Sequence, residues 1–199
     1  MTGVIAGILL AAGNGRRFGG HKLLEPLRDG TPVAVAAARN LRAGTDWTLA
    51  VVRPGDRRLE QLLRAAGLDI EYCADAEGGM GASLARGVTA TAEADGWLIA
   101  LADMPFIQPQ TIRAVARMIR RGSAIAAPMC RGRRGHPVGF SRGFGHALAS
   151  LWGDAGARHL LRRRVALLDL LPTDDIGIHI DIDTPQDLAA CWTHPPKLM

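Results

Sequence analysis

The sequence predicts an α/β chain with a mostly parallel central sheet and helices on both faces, and three observations carry that expectation. Short apolar runs rich in β-branched residues alternate with segments of helical periodicity, the pattern of a wound sheet. The first apolar run leads straight into a glycine-rich loop, "LLAAGNGRRFGGHK". The 199 residues are 48% hydrophobic, enough for one core of ordinary size, and no repeat or low-complexity linker divides them, so residues 1–199 are expected to form a single domain.

Strands are expected at Val4 to Leu10, Thr48 to Val52, Ile70 to Cys73, Trp97 to Leu101 and Ala124 to Pro128. Later ones are expected near Val138 to Phe140, Val165 to Leu170 and Ile178 to Ile182. Helices fill the intervals. Thr31 with Pro32 reads as the cap and first position of a helix running to Ala43, and Thr184-Pro185 with Asp187 repeats that signature at the last helix. Further helices are expected to start near Ala82 and after Pro109. Trp47, Trp152 and Trp192 read as core. In open sheets ligands bind beyond the carboxyl ends of the strands, so the loops after Leu10, Leu101 and Ile182 are expected to converge.

The net charge of +5 comes from 24 Lys and Arg against 19 acids, scattered along the chain, which suits anionic small molecules. With 5% aromatics and a single Tyr there is no stacking platform for RNA, and no nucleic-acid partner is expected. Cys73, Cys130 and Cys191 are far apart with no CxxC pair, which argues against a zinc cage and a disulfide framework and suits the cytoplasm. The opening "MTGVIAGILLAAG" has no basic leader and an apolar run well below the roughly 18 residues of a membrane span, so it reads as a buried first strand.

The first loop fits neither familiar phosphate motif. A P-loop is broken by His21 between Gly20 and Lys22, and a dinucleotide fingerprint from Gly13 would need glycine where Phe18 stands. Glycines that turn backbone N–H groups inward form an anion nest, and Arg16, Arg17 and Lys22 add charge around it, so a polyphosphate is the natural guest. A flexible Gly/Arg surface loop is the alternative. In "WLIALADMP" Asp103 stands at a strand tip, where it can hold the Mg2+ that polyphosphate chemistry calls for; the other use is as a helix cap before Pro109. In "HIDIDTPQDL" Asp181 and Asp183 alternate along an expected strand and face one side, so either could complete the metal shell, while Asp187 belongs to the cap. Gly78, Gly79 and Gly81 read as backbone that approaches a ligand closely, or as a plain loop before a helix. No Ser/His/Asp or Cys/His constellation is evident.

Taken in order, LAAG with Arg17, Gly19 and Lys22, then "GGMGASLARGV", "LADMP", "GHPVGF", "GDAGARHLL" and "DIDTPQDL" resemble the MobA-like nucleotidyltransferases, in their molybdenum cofactor cytidylyltransferase branch. The resemblance spans nearly the whole chain. It implies a Rossmann-like nucleotidyltransferase fold and transfer of a nucleoside monophosphate from CTP or GTP to the molybdopterin phosphate, with Mg2+ and release of pyrophosphate. It places Leu10, Ala11, Ala12 and the segment from Gly13 through Gly15 and Arg16 to Gly19 around the nucleotide, with Arg17 and Lys22 on the triphosphate charge. It puts Asp103 on the metal and Ser83 near the nucleotide, and the residues' own pattern adds Asp183 as the candidate second ligand and Gly79 as backbone against the nucleotide. LAAG, where guanylyl-transferring relatives carry LAGG, favours CTP. Gly15 and Phe18 stand where the family pattern has Ser and Met. His136, Asp154 and Arg158 are expected at the acceptor, while Arg131, Arg133 and Arg134 read as solvated charge. Alternatives from other classes are a non-catalytic cofactor carrier serving a molybdenum hydroxylase, and a transferase that uses a sugar phosphate acceptor.

Overall fold

The computed structural model describes residues 3–13, 15 and 18–193. One sheet organises them. Strands β1 (Ile5–Leu10), β2 (Trp47–Val52), β3 (Asp69–Tyr72) and β4 (Gly96–Leu101) form its parallel half, and β5 (Ile125–Cys130), β6 (Arg133–Arg134), β7 (Val138–Ser141) and β8 (Leu168–Pro172) the other. The order is β3-β2-β1-β4-β7-β5-β6, with β8 also paired to β5. β1 runs parallel to β2 and β4, β7 runs antiparallel to β4 and β5, and β8 lies parallel to β5. The expected mostly parallel α/β fold is therefore the observed one.

β1 shows why its sequence is continuously apolar: all six residues are buried, as a central parallel strand covered on both faces requires. Its side chains alternate between two cores. Ile5 and Leu9 pack with Leu41 of α1 (Val33–Arg42), Leu59 and Leu63 of α2 (Arg57–Ala65) and Ile112 and Val115 of α4 (Pro109–Arg120). Ile8 and Leu10 pack on the opposite face with Leu84 and Val88 of α3 (Met80–Ala90), Leu148 of α5 (Gly145–Ala149) and Leu161 of α6 (Arg158–Arg163). The last helix, α7, is Pro185–Thr193.

The chain leaves β1 outward to β2 and β3, then returns to β4 on the other side of β1. That reversal opens a crevice at the carboxyl ends, where Leu10 of β1 stands opposite Leu101 of β4.

Four expectations need correction. No strand forms over 178–182: residues 176–179 make a single 3-10 turn and 180–183 are irregular. Buried Asp175 causes this, since its Oδ1 accepts from Gly177 N (3.0 Å) and its Oδ2 from Gln108 N (2.9 Å), which curls the chain where a ladder would run straight. The strand expected from Val165 begins only at Leu168, after a 3-10 turn over Val165–Leu167. The cap of α1 is Pro32, because Pro26 and Pro32 form a β-bridge and Val33 N donates to the Glu25 carbonyl (3.0 Å), holding Pro32 extended until the helix begins. Trp152, expected in the core, is 67% exposed, and Trp47 is half-buried with its indole N–H on Asp69 (2.7 Å). The fully buried tryptophan is Trp97; the side chain of Trp192 lies outside what is described.

Candidate active site

The site is built where three chain segments leave the sheet at one end. After β1, Ala11 N continues the ladder to the Val51 carbonyl (2.9 Å), and the chain then turns through Gly15 (φ +57°) and Gly19 (φ +74°), left-handed conformations that favour glycine. Phe18 N closes the turn on the Gly15 carbonyl (3.0 Å). Lys22 follows at the start of a single 3-10 turn. Asn14, Arg16 and Arg17 lie outside the described residues, including both first-loop arginines of the sequence reading.

From β4, Asp103 emerges beside this loop, and α4 starts only at Pro109 with Gln108 as its cap, so Asp103 caps no helix. Late in the chain, Ile182 N donates to the Asp103 carbonyl (2.9 Å), which pins the 181–183 segment against the end of β4. Ile182 is fully buried and turns Asp183 inward, while Asp181 is exposed. The two acids therefore do not share a face.

Lys22 joins the segments. Its Nζ donates to Asp103 Oδ2 and to Asp183 Oδ1, each at 2.7 Å, with side-chain exposures of 12%, 21% and 24% respectively. Burial works against the Lys22 charge, but the Asp103 charge and hydrogen bond, followed by those of Asp183, outweigh it and hold the pKa above the usual lysine value. Asp103 Oδ1 is buried without a hydrogen-bond partner.

Asp183 is itself fixed by the start of α7. Asp187 Oδ2 accepts from Thr184 N (2.7 Å), Thr184 Oγ1 (2.8 Å) and Asp183 N (3.1 Å), while Thr184 Oγ1 accepts from Asp187 N (3.2 Å). This is a capping box with Asp in the place of Glu. The Thr184 hydrogen bonds lower the Asp187 pKa.

A cavity of about 580 Å3 opens over these groups. Its lining includes Leu10, Ala12, Gly13, Gly15, Lys22, Asp103 and Asp183, together with Gly79, Ser83, Asp154 and Arg158. Ala11 packs into the core, and Gly19 is exposed away from the lining. A Cβ added at Gly78, Gly79 or Gly81 would meet protein, although Gly79 also borders the cavity. Gly153 N donates to the Gly78 carbonyl and Gly81 N to the Gly153 carbonyl, both at 2.8 Å. A Cβ on Gly79 (φ +86°) would lie 2.6 Å from Gly153 C and 2.7 Å from Asp154 N. Residues 152–154 are thus clasped to the loop before α3.

His136 stands off the cavity lining, on the bend between β6 and β7. Its backbone N–H donates to the Ile178 carbonyl (3.2 Å), and its Nδ1 is shielded from solvent without a partner at hydrogen-bond geometry. Burial, reinforced by the Arg134 and Arg158 charges, pushes its pKa down to about 4; the Ile99 carbonyl and Asp181, which favour the charged form, do not offset this.

Arg53 and Glu77 also line the cavity, and the sequence reading assigned neither. Arg53 Nε donates to the Ala12 carbonyl (2.6 Å), bracing the first loop. The signal for Arg53 is positional: it follows the apolar run of β2 at the same sheet end as Leu10 and Leu101.

Two carboxylates, one with a buried unpartnered oxygen, fit Mg2+, which takes one or two protein carboxylates and completes its shell with water and phosphate. Among the described residues no group of three or more His, Cys, Asp or Glu is placed to hold a metal alone.

A mostly parallel sheet whose switch point opens on a glycine-rich loop, a partly buried lysine and paired carboxylates goes with a nucleotidyltransferase domain of α/β type. The chain belongs to the MobA-like NTP transferase domain family, which it matches over residues 7–168. It is 33% identical to nicotine blue oxidoreductase of Paenarthrobacter nicotinovorans over 193 residues, 92% of this chain and 94% of that one. It is 31% identical to purine catabolism protein PucB of Bacillus subtilis, also over 193 residues, 92% of this chain and 93% of that one. Among solved structures, Rv0371c of Mycobacterium tuberculosis superposes with a TM-score of 0.83 at 28% identity, covering 98% of this chain and 100% of that one. The same mycobacterial protein has been solved in complex with manganese (TM-score 0.78, 26% identity, 96% and 98% covered).

Proposed function

We propose that this transferase, acting as one domain over residues 1–199, moves CMP from CTP to the phosphate of molybdopterin or its molybdenum-bearing form, with Mg2+ and release of pyrophosphate. The observation that carries the reading is Lys22 held between Asp103 and Asp183 beside a glycine-rich turn. That arrangement supplies a cationic group, two hard oxygen ligands and a backbone open to phosphate in one cavity.

The acceptor phosphate needs no separate nucleophile. One of its oxygens bonds to the α-phosphorus of CTP as the bond to the bridging oxygen breaks, and the electron pair leaves on pyrophosphate. Catalysis is then positioning and charge neutralisation. The Gly13 to Gly19 backbone would hold the triphosphate, with Lys22 and Arg17 on its charge. Asp103 and Asp183 would hold the divalent cation, which when bound neutralises the phosphate oxygens; the manganese complex of the mycobacterial relative supports a metal in this family. Gly79 and Ser83 would border the nucleoside, and Asp154 and Arg158 the acceptor, with His136 behind them. LAAG supports CTP over GTP.

The reading places the protein in the cytoplasm, handing product to a molybdenum hydroxylase. Among the described residues no helix is long and apolar enough to cross a membrane. A second reading, a redox enzyme, is favoured by the 33% identity to nicotine blue oxidoreductase. The first loop weighs against it, since Phe18 interrupts the dinucleotide fingerprint.

The test is pyrophosphate release with Mg2+ and molybdenum cofactor, comparing CTP, GTP and ATP, alongside oxidation of NADH or NADPH. Cofactor-dependent release with CTP is expected. A preference for GTP would overturn the base assignment, release with a sugar phosphate the acceptor, and cofactor binding without any release would leave a carrier. Nicotinamide oxidation without release would favour the redox reading.

A further inference from the structure

We propose that Lys22 is the resident occupant of the cation seat formed by Asp103 and Asp183, so that a free divalent cation can enter only by displacing the ammonium. The proposal rests on the reading of those two acids as metal ligands, and it does not depend on which base or acceptor the enzyme uses.

The geometry makes occupancy by both unfavourable. One ammonium spends two of its three N–H groups on the two carboxylates, each at 2.7 Å, so the trio carries a net charge of about −1. A Mg2+ ion needs oxygen ligands at about 2.0–2.1 Å in a near-octahedral shell. Taking Asp103 through its buried Oδ1 would still set it on the same carboxylate that the ammonium holds through Oδ2. Two positive centres on one half-buried carboxylate repel with little solvent screening.

The ammonium also has somewhere to go. Lys22 follows directly on the glycine turn, and its stem already runs alongside it: a Cβ built on Gly15 would lie 3.7 Å from Lys22 Cγ. Rotation of a flexible four-carbon stem is therefore enough to carry the charge from the carboxylates toward an anion held by the first loop. Metal and triphosphate arriving together would exchange partners with Lys22, whereas metal alone has no anion to offer it.

The experiment measures uptake of Mn2+ alone, without nucleotide, from the loss of the free-ion electron paramagnetic resonance signal. Wild type is compared with Lys22→Met and Lys22→Gln, the second keeping a neutral hydrogen-bond donor between the acids in case the first fails to fold; circular dichroism establishes folding of each. Both variants are expected to take up Mn2+ at least ten-fold more tightly than wild type. Adding Asp103→Asn to either variant should abolish the gain. Equal affinity in wild type and the folded Lys22 variants, or a gain that survives Asp103→Asn, would overturn the proposal. A gain that follows this pattern in a protein that releases no pyrophosphate would instead sink the proposed reaction and leave the competition standing.

Discussion

Asp187 Oδ2 accepts a hydrogen bond from the backbone N–H of Asp183 at 3.1 Å, so the cap of the last helix sets the position of a carboxylate that reaches Lys22. A residue that looks purely structural in sequence thereby holds part of the site.

Replacing Asp187 with Ala should lower stability by about 1 kcal/mol, the usual cost of losing a helix cap. It should also reduce turnover, because Asp183 loses its anchor. Thermal melts and pyrophosphate-release kinetics on the same preparation check both; unchanged kinetics at reduced stability would separate the cap from the site.

Asp103→Ala is expected to remove turnover while leaving the protein folded, since the side chain lies beyond the end of β4 and outside the core clusters. Lys22→Ala should cost about 2 to 4 kcal/mol of transition-state stabilisation if its charge meets the departing pyrophosphate in a desolvated site. Steady-state kinetics at saturating Mg2+ decide, and wild-type rates in either variant would remove that residue from the mechanism.

Stability should fall as the pH drops from about 6.5 toward 4 because of His136. The folded-state pKa of about 4 lies below the ordinary value of 6.5, so in that window the unfolded chain binds the proton that the folded protein refuses. The charged groups acting on the ring are Arg134 and Arg158, opposed by Asp181. The full effect has an upper limit of about 3 kcal/mol. Melts at pH 7.5 and 5 should show the loss in wild type and a smaller one in His136→Asn; Asp187, a lowered carboxylate, contributes only at lower pH.

Gly79→Ala combines a left-handed backbone with a clash against residues 153 and 154, and should destabilise by more than about 1 kcal/mol. A melting temperature equal to wild type would show that the clasp can give way.

Arg53→Ala should raise the KM for nucleotide more than it lowers kcat, because Arg53 braces the Ala12 carbonyl on the cavity wall. An equal fall in kcat and kcat/KM would place it on the transition state instead.

Much of this was readable in the residues. β1, β2 and β4 announce themselves because strands buried on both faces must be apolar throughout. Thr184, Pro185 and Asp187 mark a helix start by local chemistry alone. What failed depended on distant partners. The alternating isoleucines at 178, 180 and 182 look like a pleat, but Asp175 binds Gly177 and Gln108 and bends the segment away from any ladder. Trp152 carries the composition of a core residue, yet its place is set by the clasp of Gly153 to Gly78 and Gly81, which no local pattern encodes. Arg53 was missed because a lone arginine after a strand is ordinary until the neighbouring loop is seen folding over it.

The family match ends at residue 168, but the bond from Ile182 N to the Asp103 carbonyl brings Asp183 back from beyond that limit. The second acid is therefore delivered by the irregular chain that follows β8, with Ile182 N bonded at the end of β4. A version of this chain shortened to end at residue 168 would lose β8 from the sheet edge beside β5 but retain β1 to β7 and the glycine loop, yet Lys22 would keep only one of its two carboxylates. Grafting the 169–187 segment back, rather than redesigning the loop, would be the way to restore the pair.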